Sequence, residues 1–235
     1  MHWMNTIPTF LILLVSLGGE ALTDLPPDSV VVLENFESDA VGQYPSRWRY
    51  LSSRTRRFQD PAPQMAPDES FKIVAERGNK FVRAYTEGEA QRISLPDSEL
   101  DWKLSEYPKL RWSWRAHALP GGAREDRVND SGGAVYVSFS KTDWLGRPLS
   151  IKYTYSTTLP VDTSVSTGNV KIIVVSSGRN GIGEWESVER DVVDDYDRLF
   201  GGDPPDEPFT ITLWSDSDDT KSVGEVDFDD IRLVK

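Results

Sequence analysis

Carboxylates gather at the end of this chain: Asp216, Asp218 and Asp219 fall in a polar loop, and Asp227, Asp229 and Asp230 follow on an apolar run. Hard oxygen ligands crowded this way repel one another unless a cation neutralises them, and calcium takes about six to eight such oxygens. A structural calcium held by Asp216 and Asp218 is one reading; acids solvated at strand ends, or paired with Arg232 and Lys221, is the other. The spacing Asp216, Asp218, Thr220 starts like an EF-hand loop, but Lys221 stands where that loop needs glycine. His2 and His117 are the only histidines and there is no cysteine, so neither a two-imidazole zinc site nor a thiol nucleophile can be built. The other chemistry-bearing residues are aromatic. Trp144, Trp185 and Trp214 sit at loops or on the polar phase of their segments, and with Tyr153, Tyr155 and Arg115 they are candidates to stack on a sugar. A second packed layer covering those rings is the alternative.

These side chains need a sheet to position them. Over Lys109–Phe139, Leu110, Trp112, Trp114, Ala116 and Ala118 point one way and Arg111, Ser113, Arg115 and His117 the other, so the first set should be interior and the second wet. Strands are expected over 30–36, 71–75, 81–85, 91–95, 109–119, 134–140, 149–155, 170–176, 209–214 and 226–234. The run at 170–176 is almost continuously apolar and reads as central. A helix is expected near 191–200, capped by Asp191 and closed by Gly201, because Val192, Val193, Tyr196, Leu199 and Phe200 recur at helical spacing. The pattern predicts an all-β fold, an antiparallel β-sandwich of jelly-roll or concanavalin-like type with that one helix.

At 235 residues such a sandwich needs no disulfide, since a globule of this size buries roughly 70% of its unfolded surface. Ile7–Leu17 is an apolar run too short to span a bilayer, and small residues flank Glu20. Residues 1–21 therefore read as a signal peptide and 22–235 as a single β-sandwich domain, exported to the periplasm or secreted, with no transmembrane segment in the mature chain. A formal net charge of −12 argues against nucleic acid as a partner, which requires a positive surface. Arg47, Arg49, Arg54, Arg56 and Arg57 form one basic island, read either as a solvated loop or as an anionic-ligand site.

The segments LRWSWRAHALPGGA at 110–123, AVYVSF at 134–139, KIIVVSSG at 171–178, GEWESVERDVVDDYDRLFGGDPP at 183–205 and SDSDDT at 215–220 resemble, in order and spacing, the bacterial family of unknown function DUF 3047. The resemblance implies an envelope or secreted location and a sandwich related to carbohydrate-binding folds, and no activity. An arginine usual in that family before the valine-tyrosine-valine strand is replaced here by Ala134, and a tryptophan usual near Tyr155 is missing. Asn35-Phe36-Glu37 and Phe228-Asp229-Asp230 also resemble the opening and closing segments of carbohydrate-binding sandwiches. That likeness implies a calcium at Glu37 and Asp229. Glu225-Val226-Asp227-Phe228-Asp229-Asp230 is similar to the E-x-D-x-x-E segment of a retaining β-glucanase family, which implies Glu225, Asp227 and Asp230 as catalytic carboxylates, with His117 or Arg115 assisting. Three functions follow: a glycan or similar polar ligand bound on one sheet, a glycoside hydrolase or lyase, and a structural or partner-binding envelope domain.

Overall fold

The computed structural model describes residues 29–52, 54–55, 57–65 and 71–235; the expected signal peptide and part of the loop after Leu51 lie outside these. Two six-stranded sheets face each other. The first runs β12 (Glu186–Asp191), β7 (Lys109–Ala118), β14 (Val223–Val234), β5 (Asn79–Glu87), β4 (Lys72–Glu76), with β1 (Val30–Glu34) pairing β14. The second runs β10 (Ser164–Thr167), β11 (Val170–Ser177), β9 (Pro148–Ser156), β8 (Ser131–Thr142), β13 (Pro208–Asp216), β6 (Ala90–Pro96). A small hairpin of β2 (Tyr50–Leu51) and β3 (Phe58–Gln59) joins β6 through the backbone pair Arg49–Ser94. The chain crosses between sheets at β5–β6, β6–β7, β7–β8, β11–β12, β12–β13 and β13–β14. This alternation, with antiparallel pairing nearly throughout, is the expected all-β sandwich in its jelly-roll form.

Period-2 alternation puts the core between the sheets. Leu110, Trp112, Trp114 and Ala116 point inward from β7 and are fully buried. Trp112 packs on Tyr153 and Trp114 on Tyr155, with ring centroids 5.6 and 5.4 Å apart, so the two sheets meet through aromatic pairs. Gly133 is required at this level: a Cβ there would lie 2.9 Å from Val226 and 3.0 Å from Phe228 of the facing sheet.

The helix α1 (Val192–Phe200) starts where β12 ends, because the Asp191 carboxylate accepts the Asp194 amide at 3.0 Å. Its buried Asp195 accepts from Arg190, Arg198 and Tyr153. Burial works to raise the Asp195 pKa, but the two guanidiniums hold it below the usual carboxylate range.

Three details depart from expectation. Strand β11 is not central: it lies between the edge strand β10 and β9, and pairs with β9 in parallel, the one parallel pair among the described strands. Its run is apolar because both faces are covered, Ile172 and Ile173 pointing opposite ways and both buried. Arg115 is not wet; it is 9% exposed because Trp185, from the segment before β12, lies over it. The edge strands β10 and β12 carry too few apolar residues to be read from the sequence.

Candidate functional site

A solvent-open cleft of about 570 Å³ lies on the outer face of the second sheet, floored by β6, β13, β8 and β9 and walled by the β2 hairpin and the β8–β9 connection. Strand register builds the floor. Arg92 of β6 is the cross-strand partner of Trp214, Ser94 of Thr212, and Thr212 of Tyr136 on β8. Directly paired residues share a face, so alternate positions of four strands bring two rings, one guanidinium and a set of hydroxyls to one surface. The rings of Trp214 and Tyr136 are 5.4 Å apart, and the Arg92 guanidinium lies 4.7 Å from the Trp214 ring centre.

The hydroxyls are held in pairs. Ser94 and Thr212 are 2.7 Å apart, Ser138 and Ser150 2.8 Å, and Thr210 donates to the Leu95 carbonyl at 2.7 Å. Each hydroxyl so fixed keeps lone-pair capacity for a ligand. Asn169 donates to the Pro148 carbonyl at 2.7 Å, which orients its amide at the wall. Two donors of the cleft, Trp214 Nε1 and Arg92 Nε, are buried with no partner among the described residues. Burial raises the Tyr136 phenol far above its ordinary pKa, so it stays a neutral hydroxyl. The lining contains no Asp, Glu, His or Cys among the described residues.

The expected ligand residues divide. Trp214 is in the cleft. Trp144, 89% exposed, stands at the tip of the β8–β9 connection, two residues before Gly146 of the cleft wall. Tyr153 and Tyr155 do not reach a ligand surface: both are core rings under Trp112 and Trp114, since odd positions of β9 face inward. Trp185 and Arg115 lie together on the outer face of the first sheet, the opposite side of the sandwich, where Trp185 packs edge-on against Phe81.

That opposite face also gathers the expected catalytic residues. Asp227 on β14 is fully buried and accepts from Arg83 at 2.6 and 3.0 Å, from Arg115 at 2.8 and 3.0 Å, and lies 2.7 Å from His117 Nε2. Burial favours the neutral acid, but Arg83, His117 and Arg115 together hold Asp227 below the usual carboxylate range. Glu225 pairs with the same Arg83 at 3.3 Å. A carboxylate saturated by cations is neither a proton donor nor a free nucleophile, so the cluster reads as a structural lock. Asp230 is not beside them: a break in register between Asp229 and Arg232 and a left-handed backbone (φ 51°) turn it toward Arg232, whose guanidinium it accepts at 2.7 Å.

The calcium expected at Glu37 and Asp229 finds its oxygens in use. The Lys80 ammonium takes the carbonyls of Glu37 and Asp39 at 2.7 and 2.8 Å, and the Lys80 amide takes the Glu37 carboxylate at 2.8 Å. Asp229 accepts from Asn79 and from the Asp230 amide. Lys80 occupies the Glu37 and Asp39 oxygens while Asn79 and the Asp230 amide occupy those of Asp229, and the set so arranged does not fit an ion. Asp229 remains raised to about 6 by burial, with Asp230 and Glu37 adding to it. Asp216 and Asp218 are neighbours, the Asp218 amide donating to the Asp216 carboxylate at 3.4 Å, but their carboxylates face different partners. Buried Asp216 faces Lys152 and is raised to about 6, chiefly by desolvation, whereas Asp218 groups with Asp130 and Asp219. In that trio Asp130 accepts the amides of Asp219 and Thr220 at 3.2 and 2.7 Å.

Sequence reasoning missed Arg92, Tyr136 and the paired hydroxyls. The alternation of Gln91-Arg92-Ile93-Ser94-Leu95 carried part of the signal, because it sets Arg92 and Ser94 on the face opposite Ile93 and Leu95.

The profile of the family described as "Protein of unknown function (DUF3047)" matches residues 59–232. No curated protein matches the chain. Among solved structures, the chain is similar to the family 11 carbohydrate-binding module of cellulosomal cellulase Lic26A-Cel5E of Clostridium thermocellum (12% identity, 87% of this chain and 94% of that one, TM-score 0.45). It is also similar to the CBM22-1 xylan-binding domain of Paenibacillus barcinonensis Xyn10C (14%, 88% and 97%, 0.36). A third is the K1 cleaved adhesin domain of Lys-gingipain from Porphyromonas gingivalis W83 (12%, 87% and 97%, 0.38).

Proposed function

We propose that this chain, which belongs to the DUF3047 family, is a non-catalytic module that binds a glycan in the cleft on the outer face of its second sheet. The observation that carries this reading is the joining of the Trp214–Tyr136 aromatic floor to pre-positioned Ser, Thr and Asn groups in one concave surface. Sugar rings present apolar C–H faces and rims of hydroxyls, and a site with aromatic faces and fixed polar partners complements both. Pairing among the hydroxyls lowers the ordering cost of binding. Trp144 supplies a further exposed ring at the rim.

The lining favours binding over hydrolysis. Glycoside cleavage needs two carboxyl groups flanking the bond; the cleft offers none among its described residues, and Glu225 and Asp227 lie on the other sheet, engaged with arginines. No helix among the described residues is long and apolar enough to cross a membrane. Export through the segment at residues 1–21 is part of the same proposal, and an intact mass retaining those residues in protein recovered from the native cell would remove it.

Affinity electrophoresis through gels containing single polysaccharides tests the binding function. The full-length protein is expected to be retarded by at least one glycan, and Trp214→Ala to run as in an empty gel while keeping its thermal midpoint. Equal retardation of both proteins would overturn the assignment of the cleft.

A further inference from the structure

The charges lining the cleft run against those of the molecule, with Asp143 and Asp216 standing just outside it. The chain carries 38 acidic and 26 basic residues, yet among the described residues the cleft is lined by two arginines, Arg92 and Arg147, and no acid. Arg147 is spent on Asp143, which it meets through Nε at 2.8 Å and Nη2 at 2.6 Å. Arg92 has no such partner among the described residues. Its Nη2 donates to the Leu51 carbonyl at 3.1 Å, its Nε is buried without an acceptor among the described residues, and the ring centres of Trp214 and Tyr50 lie 4.7 and 5.8 Å from it. A guanidinium partly withdrawn from water without a carboxylate is costly to keep, and this one is aligned by two rings at the floor of an open cleft.

The wall adds a second, independent observation. Ser52, which lines the cleft, donates its amide to the Arg57 carbonyl, so the β2–β3 hairpin sets Arg57 beside the rim. Arg57 is exposed, as is Arg54 in the same turn, and neither is ion-paired to a described residue.

From this we infer that the glycan taken by the cleft is an acidic one, whose carboxylate pairs with Arg92 while its ring lies over Trp214 and Tyr136. The inference rests on the glycan reading of the cleft and names the substrate class within it. A planar carboxylate matches the two-pronged donor geometry of a guanidinium, and a hydrogen bond to a charged group discriminates about tenfold or more against a neutral analogue.

The experiment compares polygalacturonate and alginate with their methyl esters, and with xylan, laminarin and cellulose oligosaccharides, by tryptophan fluorescence titration. Acidic members are expected to bind about tenfold or more tightly than their esters. Arg92→Gln should abolish that preference and Arg92→Lys restore part of it, with unchanged near-ultraviolet circular dichroism showing that both variants are folded. Neutral glycans binding as tightly as acidic ones, or Arg92→Gln weakening ester and acid alike, would overturn the inference and leave the glycan cleft standing. Binding to none of these polymers would remove both.

Discussion

Replacing Asp227 by Asn keeps the shape of the buried side chain and removes its charge. Arg115, with a side chain 10% exposed, would then keep only Glu76, itself 45% exposed, as a counter-ion. Removing one partner of a buried charge pair costs about 3–5 kcal/mol. Here Arg83 and His117, 30% and 28% exposed, can recover hydration, so the lower end, about 3 kcal/mol, is expected. For a domain of this size that lowers the thermal midpoint by about 6–12 °C. The pH dependence follows from the depressed Asp227 pKa. A carboxylate held below its unfolded value contributes stability above an unfolded pKa of about 3.9 and loses it as pH falls through the lower folded value. Thermal and urea unfolding of Asp227→Asn and the parent between about pH 2 and 8 should therefore show a constant gap above about pH 5 that closes in acid. A midpoint within about 1 °C of the parent at pH 7, or a gap that widens in acid, would refute the reading of this cluster as a structural lock.

The opposite sign is expected at Asp229. Its folded pKa is raised to about 6, so its favourable contribution is complete below the unfolded pKa and is lost as pH rises through about 6. Asp229→Asn should gain up to about 3 kcal/mol over the parent at pH 7–8 and nothing near pH 4 in urea unfolding; a variant destabilised at pH 7 would contradict this. Because Lys80 serves the oxygens of Glu37 and Asp39, EDTA should leave the thermal midpoint unchanged. A fall of more than about 2 °C would reveal a bound ion that stabilises the fold.

Much of the architecture was legible because it obeys a single period. Trp112 and Trp114 alternate with charged residues over ten positions, and the structure buries both. The helix was readable from Asp191, its apolar spacing and Gly201. Alternation assigns a residue to a face of its strand but does not say what covers that face. Arg115 was read as wet because nothing in its own strand announces Trp185, 70 positions later in the chain, lying over it. Tyr153 and Tyr155 share a strand with polar neighbours, and Lys152 and Thr154 are buried as well, so polarity along β9 did not separate inside from outside. The cleft depends on which strands become neighbours. Arg92 and Trp214 meet because β6 pairs with β13 across 114 to 126 positions of sequence, a pairing that local pattern does not encode.

The central claim is that ligand enters on the Trp214 face and not on the Trp185 face. Indole N–H resonances of the ¹⁵N-tryptophan-labelled protein report both at once, with Trp144 as a rim probe. Titration with an oligosaccharide that binds should shift the Trp214 signal, whose Nε1 has no protein acceptor, and leave Trp185 in place. A shift confined to Trp185, with Trp214 unmoved at saturation, would contradict the account.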